Sequence, residues 1–239
     1  MSTKIIPDGQ SFKKINISIG RDGSGGLTID TSDPKLAEVK EDDPTTIKVL
    51  AYYRYTRIEI APSDGNTFKS HSASEADRLQ YNVDLDAGLI TIDVHNTNHS
   101  KDAENGNVTL TVVDDQGTFL IRIETPAYQQ MYVTFGDGLF SFGGDVVLGS
   151  NPPALEFTRA GAAYFILTGA TFTSTPFIWD SVPPDDKCII GEGEDGSHAI
   201  FVNLYTDKAS HSFLFQVTSG CQTYTSKDPT IVNVDPDQP

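Results

Sequence analysis

The chain has 239 residues, with 33 acidic against 17 basic side chains and a formal net charge of −16. Such a field repels phosphate backbones and anionic headgroups, so no nucleic acid and no membrane surface is expected as a partner. Hydrophobic residues make up 38% of the chain, enough for a packed core, while two cysteines cannot staple a disulfide-rich scaffold.

The start of the chain holds Ile5 and Ile6 before Pro7 and Asp8. That is far short of the apolar stretch of about 7–15 residues that a secretory signal needs. No apolar run nears the roughly 20 residues that span a bilayer. The expectation is a soluble, cytoplasmic protein with reduced thiols.

From there a period of two takes over. Phe12–Ile19 places Ile15, Ile17 and Ile19 on one face and Asn16 and Ser18 on the other, the alternation of a half-buried strand. Similar runs follow at Thr46–Tyr53, Arg57–Ala61, Leu89–Val94, Val108–Val113 and Thr118–Ile123. Turn-formers separate them at Arg21–Gly26, Ser63–Asn66 and Asp114–Gly117. There Gly supplies positive φ, and Asp or Asn side chains bond their own backbone. One stretch is helix-compatible, Ser72–Leu79, where Ser72 and Glu75 have capping-box spacing. The chain reads as all-β.

Similar segments recur in the same order in both halves. Ile17–Gly20 resembles Val133–Gly136, Thr45–Leu50 resembles Ala162–Leu167, and Ile90–Thr97 resembles Ile200–Thr206. Gly117–Ile121 resembles Pro229–Asn233. The pattern predicts two tandem Greek-key β-sandwiches of immunoglobulin-like or cupredoxin-like topology, over residues 1–126 and 127–239.

The chemistry-bearing residues are sparse. A blue-copper site needs two His, a Cys and usually an axial Met, but no His or Met follows Cys221, and Met131 stands far from Cys188, His198 and His211. Zinc spacings are absent, and no Gly-x-Ser-x-Gly elbow occurs. His71, His95 and His99 read as solvated surface histidines. Acids cluster in loops at Glu41–Asp43, Asp114–Asp115, Asp185–Asp186 and Glu192–Gly196. Glu192, Glu194 and Asp195 are the first suspects for calcium, although acidic turns also serve solubility. No metal, cofactor or catalytic residue is assigned.

The expected binding residues lie in Ala51–Arg57. As one strand it would put Tyr53, Tyr55 and Arg57 on one face and Tyr52, Arg54 and Thr56 on the other. Tyr and Arg are enriched at interface hot spots, and Tyr rings stack on sugars. Phe135–Phe142, rich in Gly and Phe, is expected to bury a hairpin between the halves. In the tail, Pro229 suits a strand start and Pro236 a strand stop, with Thr230, Val232 and Val234 on one face.

That tail, with Asp228-Pro229 and Asp235-Pro236, resembles the ending of the bacterial DP-EP family. The resemblance implies an all-β fold and carries no catalytic residue with it. A remoter likeness, through Asp228–Ile231, is to crystalline inclusion-body proteins of bacteria. The function expected is that of a non-catalytic binding or self-associating protein, partnered by a second copy as a homodimer or by an unidentified protein or glycan. The alternative is a calcium-type metal-dependent hydrolase, or a carbohydrate-binding module using loop-end carboxylates.

Overall fold

The computed structural model describes residues 4–10, 12–42, 44–63, 65–86, 88–147, 152–180, 188–192, 196–203, 210–227 and 229–234. Every regular element among them is a strand. The chain forms two compact units that part between Pro126 and Ala127. The short segment 99–104 is the exception, since its contacts place it in the second unit.

The first unit holds β1 (Lys13–Arg21), β2 (Leu27–Thr31), β3 (Ala37–Lys40), β4 (Thr46–Leu50) and β5 (Tyr55–Pro62). They are followed by β6 (Ser70–Ala73), β7 (Leu79–Asp86), β8 (Leu89–Asn96), β9 (Gly106–Val113) and β10 (Thr118–Thr125). One sheet has the order β2-β1-β5-β8-β7 and the other β3-β4-β10-β9-β6. Each contains one parallel pair, β1 with β5 and β4 with β10, among antiparallel neighbours. The alternation read from the sequence is what packs them. Ile15, Ile17, Ile19, Ile58, Ile60, Ile90, Ile92 and Val94 are fully or almost fully buried, as are Ile47, Val49, Leu110, Val112, Ile121 and Ile123 from the other sheet. This core is mainly aliphatic, with Phe68, Phe119, Tyr52, Tyr53 and Tyr55 also buried.

The second unit holds β11 (Tyr128–Gly136), β12 (Leu139–Gly144), β13 (Ala154–Phe157), β14 (Gly161–Thr168) and β15 (Thr171–Trp179). Then come β16 (Cys188–Glu192), β17 (His198–Asn203), β18 (Ser210–Ser219), β19 (Gln222–Thr225) and β20 (Thr230–Asn233). Its sheets run β12-β11-β14-β17-β16 and β13-β20-β18-β15, with β19 also on β18. The core here is aromatic, built on Phe157, Phe165, Phe172, Phe177, Phe201, Phe213 and Phe215. Phe135 belongs to it and Phe140 and Phe142 pack against it, so the hairpin expected between the halves is anchored in the second unit's own core.

The two units are therefore Greek-key β-sandwiches of one plan. β1 and β11 take the same place, and the matched Ile17 and Val133 face Ile60 and Leu167 in the same parallel register. Two of the sequence matches need correction. β14 corresponds to β5, not to β4, because β14 is the strand parallel to β11. Between β8 and β17 the equivalent of Ile92 is Ala199, paired with Phe165 as Ile92 is with Ile58. Matching Ile92 to Val202 slipped because Ala199–Val202 is buried on both faces and no longer alternates. The long β10 is matched by β19 and β20 together. Between them Phe215 and Phe213 keep bonds to Ser226 and to the Pro229 carbonyl. The strand expected after Pro229 forms, with Ile231 as its core residue. Residues 235–239, with the second Asp-Pro pair, lie outside the described residues.

The helix expected at Ser72–Leu79 is not present. Its first residues are in β6, and Asp77 exchanges two backbone bonds with Asn107. With these groups engaged across the sheet, and Arg78 at φ 59, no helical ladder can start.

Candidate functional site

The Tyr/Arg stretch does not run as one strand. β4 ends at Leu50 in one sheet and β5 begins at Tyr55 in the other, so residues 51–54 cross between the two layers. The crossing turns its aromatics inward: Tyr52, Tyr53 and Tyr55 are only 2%, 6% and 7% exposed. Tyr52 lies under the Lys13 ammonium, and burial, with Asp33 nearby, pushes its phenol up. Tyr55 stacks on His95 with ring centroids 4.5 Å apart, and the Arg54 guanidinium lies 5.6 Å from the Tyr55 ring. Arg57 makes a two-point pair with Asp93, at 2.7 and 2.9 Å. Of the five expected binding residues, Arg54 alone is exposed, so this stretch packs the first unit and offers no open aromatic face.

One of these contacts has a pH consequence. Burial holds the His95 imidazole below its ordinary 6.5, and Arg54 acts in the same direction. The unfolded chain then binds this proton first, so stability falls as pH drops through about 6.5 toward the lower folded value. His95→Gln is expected to flatten the melting-temperature curve between roughly pH 7 and pH 5. An unchanged curve would remove His95 as the cause.

A cleft of about 620 Å³ with a mixed polar and apolar lining lies in the second unit, walled by His99, Lys101, Gln129, Asp145, Val147 and Glu156 among others. Its geometry begins at the end of β12. Gly144 has φ +94, and a Cβ there would stand 2.4 Å from the Gln130 carbonyl oxygen. Only glycine lets the chain turn this closely against β11. The turn delivers Asp145, whose amide donates to the Gln130 carbonyl at 2.8 Å and whose Oδ2 accepts the Gln130 amide at 2.7 Å. The same Oδ2 lies 2.7 Å from His99 Nε2.

His99 comes from the segment 99–104 that follows β8. Its ring stacks on Tyr128 at 5.0 Å, and Tyr128 stacks on Tyr164 at 4.6 Å. The segment is further tied by the Ser100 amide to the Tyr128 carbonyl, and by Thr158 Oγ1 to Asp102. On β11 the buried Gln129 bonds the backbone carbonyl of Glu156. Among the described residues, no hydroxyl or thiol hydrogen-bonds the His99 ring. The cleft thus presents an imidazole held by a carboxylate, and its lining includes the charged residues Lys101 and Glu156. That set can exchange hydrogen bonds with a polar ligand, and it lacks a bonded nucleophile for acyl transfer.

The remaining candidates resolve differently. Asp114 and Asp115 serve the fold: Asp114 accepts from Arg21, Asn66 and the Gln116 and Gly117 amides, and Asp115 from Lys69 and Thr67. The side chain of Glu192, with Glu194 and Asp195, lies outside the described residues, as do Asp185–Asp186. Among the described residues no three His, Cys, Asp or Glu side chains are grouped to hold a metal ion. Cys221 is a free, exposed thiol in the β18–β19 turn. No described helix is long and apolar enough to cross a membrane. His99 is exposed, as the sequence reading expected, but that reading passed over Asp145. The signal it could have used is Gly143-Gly144-Asp145 closing an aromatic strand.

No protein-family model matches the chain, and no curated protein matches it. Among solved structures, the endo-fucoidan hydrolase MfFcnA4 of glycoside hydrolase family 107 is 12% identical, with a TM-score of 0.24, over 91% of this chain and 33% of its own. The chain therefore spans about a third of the length of that enzyme. SporoSAG from Toxoplasma gondii is 6% identical, with a TM-score of 0.27, over 79% of this chain and 96% of its own. A chimeric titin Z1Z2 tandem is 12% identical, with a TM-score of 0.24, over 95% and 97%. At these scores the likenesses identify neither a relative nor an activity.

Proposed function

We propose that the chain is a non-catalytic binding protein whose ligand is a hydroxyl-rich glycan held in this cleft of the second unit. The observation that carries this reading is the convergence of His99, Lys101, Asp145 and Glu156 around one opening of about 620 Å³. Sugar hydroxyls both donate and accept, so a site mixing carboxylate acceptors with ammonium and imidazole donors matches them. Asp145 is fixed by two backbone bonds and His99 by its ring stack, so part of the site is organised before a ligand arrives.

A glycan array followed by titration calorimetry tests it. Wild-type protein is expected to retain at least one neutral oligosaccharide. A hydrogen bond to a charged group contributes about 1.5–3 kcal/mol, so Glu156→Gln and Lys101→Ala should each weaken binding roughly 10- to 100-fold. Binding that survives both changes, or an array without any retained sugar, would contradict the proposal. The His99–Asp145 pair supports a second reading, because a carboxylate-oriented imidazole is the arrangement of a general base. Cleavage of the bound oligosaccharide, lost in His99→Ala while binding persists, would favour that reading.

A further inference from the structure

Away from this cleft, the β11–β12 hairpin carries a feature the glycan reading does not use. Gly136 pairs directly with Leu139, leaving Asp137 and Gly138 as a two-residue loop with φ values of 52 and 77. Both central residues at positive φ mark the I′ turn that suits the twist of paired strands, and Asp-Gly is among its preferred sequences. The turn holds Leu139 out at the tip of the sheet edge, where it is 72% exposed. No other large hydrophobic among the described residues is as exposed.

Leu139 itself forms one side of a groove of about 500 Å³, walled further by Phe140, Phe142, Pro152 and Pro153 and closed by Thr225 and Lys227. Its walls are stiff. Phe140 packs on Phe135 at 5.0 Å, Phe142 on Phe215 at 6.2 Å, and the two prolines have little freedom to lose. Lys227 on the groove and Asp137 at the hairpin tip enter no ion pair among the described residues. One patch thus presents an apolar knob, an apolar groove, a cation and an anion.

We propose that this patch is the contact between two copies of the chain, related by a two-fold axis, with Leu139 of each copy seated in the groove of the other. A self-complementary patch is what a two-fold contact requires, since each element is used twice. In that arrangement Asp137 of one copy reaches Lys227 of the other, and the pair forms on both sides of the axis. Charge selects a second copy in this place. Two chains of net charge −16 repel each other over most of their surfaces, and here each offers a positive group to a negative one. The contact is small and belongs to the weak, transient class of interfaces.

Sedimentation equilibrium of the full chain, from about ten micromolar to about one millimolar, reads this directly. The wild type is expected to pass from monomer to dimer within that range. Leu139→Ser should raise the dissociation constant at least tenfold, while its melting temperature reports that the fold is kept. Lys227→Glu should also weaken the dimer, because it sets two anions face to face. The double variant D137K/K227E should recover wild-type association to within a few fold. A chain that stays monomeric throughout overturns the proposal, and so does a dimer indifferent to L139S or a double variant no better than K227E. A groove meant for a different partner would give the first of these results. Glu156→Gln, in the glycan cleft, should leave the dimer unchanged, so the two readings fail separately.

Discussion

Asp114→Ala is expected to destabilise the first unit by about 3–5 kcal/mol, the cost of removing one partner from a buried charged pair. The carboxylate side chain is fully buried and ties three loops at one end of the sandwich. It accepts from Arg21 at 2.9 Å on the β1–β2 side, from Asn66 at 3.0 Å after β5, and from the Gln116 and Gly117 amides at 2.7 and 2.8 Å in its own turn. Truncation leaves the Arg21 guanidinium, itself 16% exposed, without its anion and two turn amides without acceptors. Asp114→Asn keeps the shape but loses the charge, and should cost less. The pH dependence follows the same group. Burial raises the Asp114 carboxyl, but its bonds from Arg21, Gln116 and Asn66 outweigh that and hold it below the ordinary 3.8. Its contribution is therefore complete above about pH 4 and is lost as pH falls through the lower folded value. Far-UV circular dichroism melts should show the wild type losing stability there and the Ala variant losing less. Equal melting temperatures at neutral pH would refute the stapling role.

Phe215→Ala should cost the second unit about 3–5 kcal/mol, the range for emptying a phenylalanine site in a packed core. Phe215 lies against Phe165 at 5.0 Å, Phe213 at 5.2 Å, Phe172 at 5.5 Å, Phe177 at 5.8 Å and Phe142 at 6.2 Å. Five rings around one side chain leave little room for collapse into the void, which places the cost high in the range. Phe215→Leu keeps most of the volume and should cost under about 1.5 kcal/mol. Trp179, the sole tryptophan, packs on Phe177, Phe201 and Phe213, so its fluorescence reports this core. Denaturant titration of that signal should show the midpoint falling for Ala and nearly holding for Leu. A loss below about 1 kcal/mol for Ala would mean that the aromatic cluster is loosely packed.

The fold was legible where a strand has one wet face. β1, β8, β9 and β10 alternate cleanly, and their residues fell where the period of two puts them. Register was less legible. In β14 and β17 both faces are buried, so apolar residues run continuously and a slipped match looks as good as the true one. The Tyr stretch misled for a related reason. Six alternating residues look like a strand whether they stay in one sheet or cross to the other, and the crossing decides burial. Ser72–Glu75 had cap spacing, but Asp77 and Ser74 find their backbone partners on β9. The cleft was least legible, because His99 and Asp145 are distant in sequence and meet only when segment 99–104 packs on Tyr128 of β11, beside the turn that follows β12. Gly144 alone foreshadowed it.

Amide chemical-shift mapping on isotope-labelled protein, titrated with a neutral oligosaccharide retained on the array, tests the central claim most directly. Saturating shifts are predicted at His99, Lys101, Gln129, Asp145 and Glu156, with Tyr53, Tyr55 and Arg57 unmoved. Shifts centred on Tyr53–Arg57, or no saturable shifts in the cleft, would contradict the account.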